Sequence, residues 1–266
     1  MTRVWWPLLL LAAVFACGAS ADRSAPTTAG VVAVGQDTIG PAAPPGAPAN
    51  AFPNPMRPVA DIVAPRWSAE DDRDDVGEFS RVIDLAKIRQ GQHVADIGAG
   101  DGYYVSRLSP LVGASGRVFG QDIIPDYLTL LQRRVRREGM GNVQVVRGDA
   151  HDPRLPSASV DVAIMIHMYH EIEQPFALLW NLATAMRPGG RLVILDLDRP
   201  TYGHGTPRPL LRCELAAVGY RQLSITTTAP SEYVAIFLAP DSVSRPTPAV
   251  LSAKLAASPC RAPGNE

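Results

Sequence analysis

The sequence is short of cysteine. Its 266 residues hold only Cys17, Cys213 and Cys260, and three thiols so far apart do not make a metal site. It lacks an excess of charge as well: a formal net charge of -1, with no strongly basic half, leaves no field to gather nucleic acid or anionic lipid, so a small or neutral partner is the default. Long hydrophobic runs are absent. The apolar stretch Val4–Ala16 is about 13 residues long, short of the roughly 20 that a bilayer-spanning helix needs. There is no internal repeat and no Gly-x-x-x-x-Gly-Lys-Ser/Thr sequence, which disfavours a triphosphate site.

What stands at the N terminus is an export pattern. Arg3 precedes the apolar run, and Ala19-Ser-Ala21 fits a small-x-small cleavage site before Asp22, so residues 1–21 read as a signal peptide and the protein as exported and periplasmic. The alternative is a lipoprotein site, Val14-Phe-Ala-Cys17, which would make lipidated Cys17 a membrane anchor. Residues 22–65 are rich in Pro, Ala and Gly without apolar periodicity and read as a disordered or extended tether; the same composition over 241–266 reads as a flexible tail. The folded unit is then 66–240. Cys213, in an apolar helical stretch, reads as a buried small hydrophobe and Cys260 as a residue of the tail, with pairing in an oxidising compartment as the alternative.

Within the folded unit short β-rich runs alternate with helical patterns. Strands are expected at 94–97, 117–122, 143–146, 160–166 and 191–196, with helices at 78–88, 103–111, 125–138, 175–186 and 207–218, and with 222–228 and 233–238 as a closing antiparallel pair. The fold class is α/β: a Rossmann-like, doubly wound, mostly parallel seven-stranded sheet with an antiparallel last strand and helices on both faces. Ligands of such sheets sit at the carboxyl ends of the strands.

The first strand runs straight into Gly98-Ala-Gly-Asp-Gly102 and then a helix, and such glycines permit a tight turn and close backbone approach to a ligand. A dinucleotide fingerprint would put a third small residue where Tyr103 stands, which disfavours NAD or FAD. The stretch Val94-Ala-Asp-Ile-Gly-Ala-Gly-Asp-Gly-Tyr-Tyr104 resembles the first motif of class I S-adenosylmethionine (SAM)-dependent methyltransferases, and further markers follow in order: Asp122 at the end of the second strand, Gly148-Asp149-Ala150 after the third, Arg187-Pro-Gly-Gly190 before the fifth. The resemblance covers roughly 79 to 238 and implies SAM as the cofactor. It also implies that Asp122, beside Ile123, accepts hydrogen bonds from the ribose hydroxyls, and that Asp149 and Ala150 meet the adenine. Gly98, Ala99, Gly100 and Gly102 complete the expected cofactor site, with Asp96 suited to the cationic amino-acid end. As plain structure, Asp96 would cap the glycine turn and Asp122 the helix after it.

After the fourth strand, Ile166-His-Met-Tyr-His-Glu-Ile172 gathers polar groups where the resemblance places the reacting methyl. His170 is the candidate base and His167 a second catalytic candidate, though a loop histidine that caps the next helix is the bland alternative. The His-x-x-His pair suggests a metal site but shows no third ligand at a suitable spacing, so no metal is expected. Tyr103, Tyr104, Tyr169 and His204 are candidate substrate contacts, with aromatic packing and a solvent-exposed loop as their structural alternatives. Arg133, Arg134, Arg136 and Arg137 read as a solvated helix face, since no aromatic residues interleave them. The resemblance includes quinone and arsenite methyltransferases; the arsenic branch needs more thiols than Cys213 and Cys260 supply. An exported SAM- or nucleoside-binding module without turnover is the competing function, because SAM is made in the cytoplasm.

Overall fold

The structure, a computed structural model, describes residues 39–62 and 69–261; the expected signal peptide with Cys17, and the expected tether before residue 39, lie outside the described residues. Seven strands form one sheet: β1 (His93–Ile97), β2 (Arg117–Asp122), β3 (Val143–Arg147), β4 (Val160–Ile166), β5 (Met186–Leu197), β6 (Arg221–Ala229) and β7 (Glu232–Leu238). Their spatial order is β3-β2-β1-β4-β5-β7-β6. The first five pair in parallel and β7 runs antiparallel to both its neighbours. The chain winds outward from β1 in both directions, so the crevice between the carboxyl ends of β1 and β4 is the topological switch point where such sheets bind ligands.

Among the described residues seven α-helices accompany the sheet: α1 (Glu70–Asp75), α2 (Glu78–Ala86), α3 (Tyr103–Val112), α4 (Pro125–Arg137), α5 (Pro175–Ala185), α6 (Arg208–Val218) and α7 (Pro248–Ala257). Alternation along β1 divides the core in two. Val94 packs with Val82, Leu108, Leu128 and Leu131 of α2, α3 and α4, whereas Ala95 and Ile97 pack with Leu179, Leu211, Leu215 and Leu251 of α5, α6 and α7. On α4 the apolar stripe Leu128, Leu131 and Val135 is buried, and of the arginine run Arg134 pairs with Glu70 and Glu138. Among the described residues no helix is long and apolar enough to cross a membrane.

Two expectations about the flanks are corrected. Residues 39–62 are not a loose tether but a strap laid across the domain: Gly40 bridges to Val146, Gly46 N–H donates to Asp152 at 2.7 Å and Ala47 N–H to Asn181 at 2.9 Å, and Phe52 is buried against Trp180. Arg57 enters the interior to pair with Glu214 at 2.9 Å, both side chains fully buried. Nor are residues 241–261 a loose tail. Pro248 occupies the first turn of α7, where a missing N–H costs nothing, Thr247 caps it, and Leu251 and Leu255 are buried.

That helix brings Cys260 to Cys213 as a disulfide with Cα atoms 5.5 Å apart, overturning the reading of the two cysteines as unpaired. Closing a loop of 47 residues constrains the unfolded chain by roughly 4 kcal/mol in the chain-entropy model. Replacing both cysteines by serine should lower unfolding free energy by about 2–4 kcal/mol in a denaturant titration, and a reductant should have the same effect on the native chain. An unchanged midpoint under both treatments would refute the bridge.

Candidate functional site

A pocket opens at the switch point, walled by the carboxyl ends of β1, β2, β4 and β5 and by the loops that leave them. Its first wall is the glycine turn. Gly98 and Gly100 take positive φ of 75° and 57°, a region most side chains avoid, and the N–H groups of Gly98 and Ala99 both donate to the carbonyl of Gln121 at 2.9 Å. Asp122 completes the join: one oxygen accepts from Gly100 N–H at 2.8 Å, the other from the N–H groups of Ile123 at 2.7 Å and Ile124 at 2.9 Å. Burial raises the pKa of this carboxyl, and the three backbone hydrogen bonds pull against that rise. Three of its roughly four acceptor sites are used, so one lone-pair direction remains for a ligand.

Gly98, Ala99, Gly100, Asp122, Ile123, Asp149 and Ala150 all line the pocket as expected, together with Arg73, Gln121 and Tyr127, which the sequence pattern did not single out. Gly102 and Asp96 do not. Gly102 caps α3 at φ 98°, and a Cβ there would stand 2.5 Å from a Leu131 methyl, so its glycine is required by packing. Asp96 is buried one residue behind the wall. Among the described residues its carboxylate finds no hydrogen-bond donor, and burial raises its pKa from the ordinary 3.8 to about 7, with Arg73 opposing and Asp122 adding to the rise.

Arg73 and Glu78 form the next layer. The guanidinium lies over the Tyr103 ring at 3.8 Å and donates to Glu78 at 2.6 Å; Glu78 also accepts from Tyr104 at 3.0 Å and faces His167 at 3.3 Å. Burial alone would raise the Glu78 pKa, but the bonds from His167 and Arg73 override it and hold the carboxyl at about 2. Tyr104 therefore spends its hydroxyl inside the fold and does not reach the pocket, contrary to the substrate-contact expectation. Tyr103 does line the pocket, although its hydroxyl goes to Asp74 at 2.7 Å.

The far end is histidine-lined. In the short turn Tyr169–Glu171 the side chains part company: Tyr169 points inward, fully buried, and donates to Glu214 at 2.8 Å, so it is a core residue and not a substrate contact. His170, 2% exposed, lines the pocket and gives its Nδ1–H to Asp196 at 3.0 Å. Asp196 is fixed in turn by the Thr206 hydroxyl at 2.7 Å and the Leu197 N–H at 2.8 Å. Because a carboxylate only accepts, Nδ1 carries a proton, and in the neutral ring the lone pair is then on Nε2. His204 lies edge-on to His170, ring centres 5.5 Å apart. His167 turns instead to Glu78. The missing signals are legible afterwards: Asp196 ends a central strand, and Glu171 follows the base candidate directly.

Asp96 gives the ligand-free fold a testable pH dependence. A carboxyl whose pKa rises from 3.8 to about 7 on folding favours the fold below its unfolded value and loses that contribution as pH climbs through 7. The melting temperature of the native chain should therefore fall relative to Asp96→Asn between pH 5 and pH 8. A difference that stays constant over that range would exclude a buried, raised Asp96.

With this geometry in place, comparison with known proteins is informative. Residues 94–190 match the family model described as "Methyltransferase domain". A ubiquinone/menaquinone biosynthesis C-methyltransferase of Coxiella burnetii is 31% identical over 120 residues, 45% of this chain and 48% of that protein; its counterpart in Pseudomonas putida is 31% identical over 120 residues, with 45% and 47% covered. The chain thus spans about half the length of the curated relatives it matches. A SAM-dependent methyltransferase from Aquifex aeolicus shares the fold at a TM-score of 0.60 and 23% identity, over 64% of this chain and 93% of that one. The seven-stranded Rossmann-like sheet is thus a fold that this chain shares with a SAM-dependent methyltransferase, and within it residues 94–190 are similar to the methyltransferase-domain model.

Proposed function

We propose that the chain transfers the methyl group of SAM to a small-molecule acceptor. The observation that carries this reading is Asp122, a buried carboxylate bonded to the glycine turn at the switch point with acceptor capacity left over. The site suits the cofactor in two further respects. Asp96 is a buried carboxylate that lacks a donor among the described residues, and such a group favours a cationic ligand nearby. At Gly98 a Cβ would press on Met168 at 3.1 Å, so the glycine keeps room where the backbone meets the ligand. SAM, when bound, supplies an activated methyl on a sulfonium.

The protein's own part is alignment and handling of a proton. Asp122 and Asp149 face the cofactor end of the pocket and His170 the other. With Nδ1 held by Asp196, the neutral His170 ring aims its Nε2 lone pair into the pocket, where it takes the acceptor's proton. His167 braces the loop through Glu78. The relatives' names point to an acceptor of the quinone family, and in a phenol or hydroquinone form such a ring carries a hydroxyl proton for the base to take.

Titration calorimetry with SAM and with S-adenosylhomocysteine should give saturable binding that Asp122→Ala abolishes, tighter at pH 8 than at pH 6 because Asp96, once ionised behind the pocket wall, attracts the cation across it. His170→Ala should keep that affinity while turnover on a phenol or hydroquinone falls about a hundredfold to ten-thousandfold. No binding by the folded native chain removes the cofactor reading; binding without turnover on any acceptor favours the binding module.

Export is part of the same proposal. The Cys213–Cys260 bridge supports it, because such bonds persist in oxidising compartments, and so does the leader pattern of residues 1–21. Fractionation of producing cells should place the chain outside the cytoplasm, beginning at Asp22 or at lipidated Cys17. Full-length chain in the cytosol with reduced Cys213 and Cys260 would overturn this.

A further inference from the structure

We infer that the acceptor end of the pocket is a divalent-cation site formed by His170, Glu171 and His204. One ligand atom from each of these residues lies within 4.8 Å of the others, and His170 Nε2 stands 4.0 Å from Glu171 Oε1. All three line the pocket. Two imidazoles and one carboxylate with an open fourth side is the donor set of catalytic zinc, and the ligand atoms of a tetrahedral ion stand roughly 3.4 Å apart. Side-chain rotations that shorten these separations by about an ångström close the site.

The support behind the ligands argues in the same direction. A ligating histidine almost always gives its other N–H to a carboxylate or carbonyl, which sets the tautomer and raises ligand basicity. His170 does so to Asp196, and Asp196 is itself locked by Thr206 and Leu197. The Thr206 carbonyl accepts from the buried Tyr233 hydroxyl at 2.7 Å. His204 sits between Gly203 and Gly205 at φ 57°, a conformation few non-glycine residues hold without reason. The sequence offered no third ligand for a His167–His170 pair; the fold sends His167 to Glu78 and brings Glu171 and His204 to His170 instead.

This inference rests on the methyl-transfer reading for what the site does and deepens it by naming the acceptor class. Two neutral imidazoles and one carboxylate leave a dication with one positive charge, so the open position, filled by water at rest, favours an anionic oxygen or sulfur of the acceptor. An acceptor O–H or S–H that ligates the ion loses its proton to solvent as the new bond to the ion forms. At Nε2 the ion and the proton are alternatives: loaded with the ion, His170 is a ligand; without it, the base.

The full chain, stripped with a chelator, is titrated with Zn2+ and with Co2+ in the absence of SAM. One equivalent should bind, the Co2+ complex should show the intense visible bands of a four- or five-coordinate ion, and Mg2+ should not compete. His204→Ala and Glu171→Gln should weaken Zn2+ binding at least tenfold, and Asp196→Asn by about 10–100-fold as a lost supporting carboxylate does. SAM affinity should be unchanged in all three, which also shows that they fold. An octahedral Co2+ spectrum, or Zn2+ binding that the variants leave intact, overturns the site. Zn2+ binding with no SAM binding would keep the site and remove the methyl-transfer reading; the reverse would remove the site alone.

Discussion

The histidine-lined end of the pocket depends on one buried ion pair. Arg57 and Glu214 meet at 2.9 Å with both side chains out of contact with water; burial pushes the glutamate's pKa up, and the guanidinium and the Tyr169 hydroxyl work against that rise. Such a pair gains little over a well-packed apolar one, but removing one partner alone costs about 3–5 kcal/mol, because the other charge stays buried. Its use here is positional. The guanidinium also donates to the carbonyls of Tyr169, His170 and Ile172, so one side chain ties the strap, the histidine turn and α6 together. Ala60 N–H adds a bond to the His170 carbonyl at 3.1 Å, a second tie between the strap and the turn that carries His170.

This gives the two ends of the pocket different origins. Asp96, the glycine turn, Asp122, Asp149 and the histidine turn all fall within 94–190, the stretch matched by the methyltransferase domain. Arg57, Asp196, His204, Glu214 and the disulfide lie outside it. The glycine-turn end of the pocket is thus built within the matched stretch, and the histidine end draws also on segments before and after it. The bridge belongs to the second group: Cys213 neighbours Glu214 on α6, so α7 and the C-terminal segment are fastened to the helix that anchors the strap.

What the sequence made legible follows the range of the interactions. β2 and β4 have the expected bounds because parallel central strands read as short apolar runs. The glycine turn was legible because its φ values leave few alternatives to glycine. The strap was not: a Pro-rich segment without periodicity looks unstructured, yet here its carbonyls and scarce N–H groups meet Arg154, Asp152 and Asn181, partners more than a hundred residues away. α7 was hidden by prolines that in fact flank and start it. Tyr169 and His170 are neighbours in a polar turn, and only the burial of Glu214 beneath one of them decides that the tyrosine goes to the core and the histidine to the pocket. Asp196 read as a strand residue because nothing local marks the carboxylate that holds His170.

Two residues of the pocket break the local rules of the chain. His167 and His204 hold φ of 53° and 57°, where glycine would be easier by about 1 kcal/mol or more. A chain selected only for stability would place glycine at both, as it does at Gly98 and Gly100. Each position instead keeps an imidazole that meets a specific neighbour. His167 answers the buried Glu78 charge, and His204 faces His170 across the acceptor end. Conflict between backbone preference and retained side chain is expected where function outranks stability, and these two conflicts flank the turn that carries His170.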